Sequence, residues 1–328
     1  MPYPVIEKVL LTEARLAESA SRYSELRQPN LKMNDRVTCV LDTQFPSGAR
    51  VTTFVVKIPF TVHPELMTHR VFSRNAASQR GIRVASTIRR IYDTDYCMPD
   101  KLVMNEFGMQ GYTEMDEDLS YKFRSLWRDA AYYAIRIAEK MDALGAHKQL
   151  VNRVLAPFRE LDVIVTATEW SGFLRQRRSK YATHEMQNIA SGIYEYLKKP
   201  LLLTERFIHL PFYTTPTNAD EAFSVLRDHG MSYKEHHLPI AISSARVARV
   251  SYGRHGDEVE NPVNDVKLFL ELERVNDADE KDVHASPFEH IVVGGERDRF
   301  YSNFRGCCSY REARGYLSLQ GSSGGYEI

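Results

Sequence analysis

The sequence predicts an α/β protein, a mixed or antiparallel sheet flanked by long helices, organised as one domain over residues 1–328. Three patterns point that way. Two β-branched and aromatic runs, 36–42 and 51–60, are separated by the turn residues Pro46-Ser47-Gly48, which predicts a hairpin. A buried strand is predicted from Leu161 to Thr168. Apolar residues in steps of three and four predict long helices over 115–144 and from about Thr183 to Lys198.

The elements follow in order. After the hairpin, Pro64-Glu65-Leu66-Met67 reads as a short helix, because proline fits the first helical position, where its missing N–H costs nothing. The segment Thr68–Arg80 then reads as an anion-binding loop, with small polar residues between fork-shaped arginine donors. In the helix over 115–144 the predicted buried face is Leu119, Phe123, Leu126, Ala130, Tyr133, Ile137, Met141 and Leu144, with Gly145 as C-cap. A second helix is predicted at 146–156. In the helix from Thr183, the residues Met186, Ile189, Ile193 and Leu197 share one face. Residues 214–240, polar and carrying Pro216, Asn218 and Gly230, read as a connector. Residues 242–252 form a partly apolar segment, a helix is predicted at 262–275, and the tail Gly321-Ser-Ser-Gly-Gly reads as mobile.

Composition narrows the class. Hydrophobic content of 43% and charged content of 26% are those of a globular protein with a core. Lys plus Arg equals Asp plus Glu at 43 each, which argues against binding polymeric nucleic acid but leaves room for a local basic pocket. The four cysteines, Cys39, Cys97, Cys307 and Cys308, form no Cys-x-x-Cys pair and no zinc spacing, so no metal is expected. A reducing, cytoplasmic compartment is the default, with neither a signal peptide nor a membrane span expected.

The stretch His69-Arg70, seven residues, Ser78 and Arg80, with Ser73 and Asn75 inside, resembles the signature of the flavin-dependent thymidylate synthases. Three further places resemble that family. Asn152-Arg153-Val154-Leu155-Ala156-Pro157 is similar to a segment whose Arg binds the nucleotide phosphate. Thr168–Arg177 followed by Ala182–Met186 is similar to the strand and helix that contribute a pyrimidine-contacting Arg, here Arg177. Arg175, Arg177 and Arg178 also fit a solvated cationic face. Ala248-Arg249-Val250-Ser251 and Ser286-Pro287-Phe288-Glu289-His290 are similar to motifs that ordinarily precede the signature; here they follow it. That order implies a circularly permuted member of phage type, one unit made of 1–213 and 241–320, in the cytoplasm of a bacterial host if phage-encoded. Gly108-Met109-Gln110, Asn303-Phe304-Arg305-Gly306 and Tyr310-Arg311 are similar to that subgroup.

The resemblance implies transfer of a one-carbon unit from methylenetetrahydrofolate to C5 of dUMP, with FAD and NADPH as cofactors, in a homotetramer whose sites are shared between subunits. It implies that Ser78, Arg80 and Arg153 hold the phosphate of a pyrimidine deoxynucleoside monophosphate, that Arg177 acts on the pyrimidine, and that His290 assists catalysis. His69, Arg70, Asn75, Ser251 and Tyr181 are the implied flavin contacts. Several positions depart from the pattern: Thr68 stands for Arg, Ala76 for Glu, Glu65 for Gln and Gly81 for Tyr, while Gly172, Tyr181 and Thr183 stand for Asn, His and Gln. Two alternatives stay open, a pyrimidine deoxynucleotide (dUMP or dCMP) hydroxymethylase of the same family and a catalytically silent nucleotide-binding protein.

Overall fold

The structure, a computed structural model, describes residues 31–199, 208–216, 219–229, 237–253, 261–274 and 286–313. The chain start, Asn218, Gly230, the end of the helix predicted to 275, His284 and the tail 321–325 lie outside the described residues.

The main sheet has five strands, β1 (Leu31–Asn34), β2 (Val37–Gln44), β3 (Arg50–Pro59), β4 (Ser73–Ala76) and β5 (Glu160–Ala167). Their order is β1-β2-β3-β5-β4, and every neighbouring pair is antiparallel. The predicted hairpin is β2–β3. Gly48 at its turn has φ +85°, a conformation that favours glycine. The predicted strand from Leu161 is β5. A short helix α1 (His63–Met67) follows β3, with Pro64 in its first turn.

The anion-binding loop is instead partly a strand. Residues 73–76 form β4, which pairs with β5 in the register Ser73↔Thr166 and Asn75↔Ile164. Small polar residues can form a strand when a neighbouring edge supplies the backbone hydrogen bonds, so tertiary pairing overrides the local reading.

Strand alternation divides the sheet into two faces. Phe54, Val56, Ile58, Leu161, Val163 and Val165 pack against α5 (Ser171–Arg177) and α6 (His184–Leu197). Met186, Ile189 and Ile193 of α6 are fully buried there, as their spacing predicts. On the opposite face Leu41, Val55 and Ile164 pack against α8 (His237–Val250), which buries twelve residues around its whole circumference. Around α8 lie α7 (Ala219–Asp228), α9 (Pro262–Arg274) and a three-stranded sheet of β6 (Ile208–His209), β7 (Val292–Gly294) and β10 (Cys307–Ser309). A two-stranded ribbon, β8 (Phe300–Tyr301) and β9 (Phe304–Arg305), lies between β7 and β10 in sequence. Arg246 of α8 donates to buried Asp265 of α9 at 2.9 Å, and Arg249 pairs with the same carboxylate. The polar connector 214–240 thus contains a helix, α7, because Ala222 and Leu226 find apolar partners on this face. All four cysteines are buried and free.

A third layer holds α2 (Val84–Asp93), α3 (Glu117–Ala143) and α4 (Lys148–Leu155), packed through Val84, Ile91, Ile135, Ala138, Val151 and Leu155. Asp116 caps α3 by accepting from the Leu119 N–H at 2.8 Å. The helix is as predicted, but its buried face is not. α3 buries Ser120, Ala131, Ile135 and Ala138, whose small side chains allow close approach to its neighbours. Most of the predicted stripe points outward, with Leu126 70% and Tyr133 67% exposed, while Met141 packs against this core as expected. Periodicity identifies an apolar face but not the surface that covers it. Among the described residues no helix is long and apolar enough to cross a membrane.

Candidate functional site

Several sequence-predicted residues, His69, Arg177, Asn75, Ser78 and Ser251, meet at the two ends of β4, a strand about 10 Å long at roughly 3.3 Å per residue. At its start, Arg177 in the last turn of α5 reaches back to α1. Its Nε donates to His69 Nε2 at 3.0 Å, Nη1 to Glu65 Oε2 at 2.8 Å, and Nη2 to the Glu65 carbonyl and to Thr68 Oγ1, both at 3.0 Å. A guanidinium has five N–H donors, so one is left on Nη1. The Glu65 carboxylate, which stands for a neutral Gln in the resembled signature, is thereby paired.

His69 is packed against Phe72 and Phe173, with ring centroids at 5.7 and 4.9 Å. Burial first, then the charges of Arg177 and Arg74, lower its pKa to about 4. The ring is therefore neutral, and because Nε2 accepts from Arg177 its proton sits on Nδ1, where no described residue accepts it. Arg74 Nη1 donates to the carbonyls of Met67 and His69 at 3.0 and 2.8 Å, clamping the turn from the other side. Arg70 beside it is exposed and forms no ion pair with a described residue.

At the far end of β4 the chain turns through 77–82. The Ser78 N–H donates to the Ser251 carbonyl at 2.7 Å, and Ser251 Oγ donates to Asn75 Oδ1 at 2.8 Å. The Asn75 amide in turn reaches the Val247 carbonyl at 3.4 Å. The Ala248–Ser251 motif and the signature, far apart in sequence, are thus clasped together. The Ser251 hydroxyl hydrogen is spent on Asn75, whose Oδ1 keeps a second lone pair. Asn152 of α4, fully buried, donates to the carbonyls of Gln79 and Ile82, both at 2.9 Å, and Lys148 reaches the Gly81 carbonyl at 3.3 Å. Ser78 Oγ accepts from the Arg80 N–H at 3.2 Å, so its own hydrogen remains to donate. Arg80 and Arg153 are exposed and form no ion pair with a described residue. Arg80 lies in the turn held by these bonds, and Arg153 on α4 follows the Asn152 that holds it.

Two departures from the signature acquire a physical reason. A Cβ at Gly81 would lie 2.9 Å from the ring of Tyr252, so the aromatic ring of Tyr252 occupies the space beside this turn. Gly172 is different: a Cβ there meets nothing within 4 Å, so packing does not demand glycine. Tyr181 is 72% exposed.

His290 is the predicted site residue that stands apart. It closes a 3₁₀ turn (Ser286–Glu289) packed on β4, but its ring is fully buried and reaches no surface. Nδ1 lies 2.8 Å from Thr166 Oγ1, and Nε2 is buried without a described partner. Burial lowers its pKa to about 3. Asn152, Tyr252 and the Glu65–Arg177 pair escaped sequence reasoning. Asn152 and Tyr252 adjoin Arg153 and Ser251, and that adjacency was the available signal. No group of three side chains that could hold a metal occurs among the described residues.

Comparison with known proteins agrees with the resemblance over the core segment. Residues 46–201, just under half of the chain, match the family model of the thymidylate synthase complementing protein. Among solved structures, the chain is similar to a UMP/dUMP methylase, PolB, from Streptomyces cacaoi, solved with 5-Br UMP; identity is 15%, coverage 45% of this chain and 68% of that one, and the TM-score 0.36. It is similar to thymidylate synthase X from Helicobacter pylori, solved with FAD and dUMP, at 15% identity, 44% and 66% coverage and a TM-score of 0.30. No curated protein matches the chain.

Acid should unfold the protein through its buried imidazoles. A folded-state pKa of about 3 against an ordinary value near 6.5 means that His290 binds its proton in the unfolded chain first. Its contribution to stability is complete above about pH 6.5 and is lost as pH falls toward 3, at about 1.4 kcal/mol per pH unit. His69 acts in the same direction. Urea midpoints measured from pH 7 to pH 5 should fall steadily, with a shallower slope in His290→Asn; a flat profile in the wild type would contradict the assignment.

Proposed function

We propose, from a chain whose residues 46–201 match the thymidylate synthase complementing proteins, that it transfers a one-carbon unit from methylenetetrahydrofolate to C5 of a pyrimidine deoxynucleoside monophosphate, dUMP, in a flavin-dependent reaction. The observation that carries this reading is the clasp of Ser251 on Asn75 and Ser78. It joins the downstream motif to the signature beside two uncompensated arginines, as a permuted single unit of 1–213 and 241–320 requires.

Ser78, Arg80 and Arg153 bind the phosphate. The hydroxyl donates one hydrogen bond and the two guanidinium forks supply charge-assisted ones. Arg177, immobilised by Glu65 and Thr68, turns its remaining N–H to negative charge developing on the pyrimidine, where a preorganised donor lowers the barrier without reorganising. Its charge is partly spent on Glu65. His290, fully buried behind Thr166, is assigned to assist from within the protein, through the hydrogen-bonding state of its ring, rather than by contact with the substrate.

FAD fits part of the implied set. The Nδ1–H of His69, the free guanidinium of Arg70 and the exposed ring of Tyr181 suit a ring carbonyl, a diphosphate and the flat face of the flavin. Asn75 and Ser251 fit less well as direct contacts, because Asn75 is buried and the Ser251 hydrogen is spent on it. When bound and reduced by NADPH, the flavin supplies the hydride that completes methylation. The same shortfall of contacts favours the hydroxymethylase as the second reading.

The outward stripe of α3 supports assembly with further copies of this chain, and a homotetramer is the state we propose. Leu119, Phe123, Leu126, Ala130, Tyr133 and Ile137 repeat in steps of four and three, the spacing of a helix–helix seam. A second copy of the same helix, running antiparallel, matches such a seam and opposes the two helix dipoles favourably.

Three outcomes test this reading. Calorimetry should show dUMP binding far more tightly than deoxyuridine, with Arg80→Ala or Arg153→Ala each costing about 1.5–3 kcal/mol; equal affinity for nucleotide and nucleoside would sink it. FAD titration of the apo-protein should saturate, with Arg70→Ala weakening it about tenfold or more; no saturable flavin fluorescence change at high micromolar FAD transfers the case to the flavin-independent readings. Light scattering should give a tetramer that Leu126→Glu combined with Tyr133→Glu dissociates. A wild-type monomer at micromolar concentration would remove the shared-site assembly.

A further inference from the structure

The structure holds a polar chain buried between its two larger sheets. Thr43 Oγ1 lies 2.8 Å from His209 Nδ1. His209 Nε2 lies 2.7 Å from Thr53 Oγ1, which lies 2.7 Å from Thr166 Oγ1. Thr166 Oγ1 then meets His290 Nδ1 at 2.8 Å. The five residues come from β2, β6, β3, β5 and the turn before β7, and all five are fully buried. Thr53 and Thr166 face each other in the β3–β5 register. The chain ends at His290 Nε2, buried and unpartnered among the described residues.

Each contact needs one donor and one acceptor, each hydroxyl has one hydrogen, and a neutral imidazole has one N–H. Suppose His209 carries its proton on Nδ1. Its Nε2 must then accept from Thr53, Thr53 must accept from Thr166, and Thr166 must accept from the Nδ1–H of His290. The Nε2 of His290 is then a bare lone pair. Conversely, an N–H at Nε2 of His290 leaves Nδ1 to accept from Thr166, Thr166 to accept from Thr53, and Thr53 to accept from the Nε2–H of His209. One combination is forbidden: Nδ1–H at His209 with Nε2–H at His290 would oppose two lone pairs somewhere along the chain.

We propose that His209 is a positioning residue for His290: with its proton on Nδ1 it compels, through the hydroxyls of Thr53 and Thr166, a bare lone pair at Nε2 of His290, and only with its proton on Nε2 does it permit an N–H there. The coupling needs no net movement of charge, only coordinated orientation of hydroxyls and tautomers. It rests on the function proposed above for the use made of His290, not for the coupling itself. The segment around His209 (Ile208-His209-Leu210-Pro211) belongs to none of the motifs that carried the family resemblance.

Long-range proton–nitrogen NMR on the full chain with ¹⁵N-labelled histidine reads both tautomers without substrate or cofactor. His209→Gln and His290→Gln assign the signals. The wild type should show an allowed pair of tautomers. Thr53→Val, which touches no atom of His290, should shift the His290 nitrogens toward the other tautomer or a mixture, whereas Thr53→Ser should restore the wild-type pattern. The forbidden pair in the wild type, or unchanged His290 nitrogens in folded Thr53→Val, would overturn the proposal. If Thr53→Val does not fold, the His290 signals of His209→Gln decide the same question. Because no nucleotide is present, a protein that fails to bind dUMP can still pass this test, so the two failures are distinguishable.

Discussion

The register of β5 is the constraint on which the site depends. One edge of β5 pairs with β3 and the other with β4, so Thr53, Thr166 and Ser73 lie in one row across the sheet. A slip of β5 by one residue would turn Thr166 toward the aromatic core under α5 and α6 and send Val165 into the polar chain instead. The cost on each face would be several buried hydroxyls without partners and large apolar side chains without a core. The register also sets β4: Ser73 and Asn75 face α8 and the second sheet, while Arg74 faces the α1 turn. Asn303 completes the first face by donating to Ser73 Oγ at 2.9 Å.

The two ends of β4 are chemically unlike. At its start the cation is neutralised, because Arg177 is held by Glu65 and by hydroxyl and imidazole acceptors. At its far end Arg80 and Arg153 stay solvated and uncompensated, while the backbone between them is pinned by Asn152, Lys148 and Ser251. Two exposed arginines without ion pairs among the described residues mark the second end, whereas at the first Arg177 is paired and Arg70 is the exposed cation. A neutral, polarisable ring suits the first, where directed N–H donors outnumber free charge. Under the proposed function, the phosphate of a mononucleotide takes the second end and its base the first.

The positions that depart from the resembled signature also acquire structure. Thr68 accepts from Arg177, so the residue standing for a cation has become part of an arginine cradle. Gly81 makes room for Tyr252. Nothing in the packing of the described residues explains glycine at position 172.

By itself the sequence determined the β2–β3 hairpin, β5, the Pro64 helix, α6 with its buried Met186, Ile189 and Ile193, and the charged residues of the signature. Each follows from near-neighbour physics: turn propensity, proline geometry, side-chain periodicity and the chemistry of guanidinium. Only the tertiary structure decided that Ser73–Ala76 is a strand, since an edge of β5 must be supplied from elsewhere. It alone decided that the long stripe of α3 faces outward, since periodicity carries no information about which neighbour covers a face. It alone joined Ser251 to Asn75 and His209 to His290, because those hydrogen bonds close over loops of more than 80 residues, and no local pattern records where such loops return.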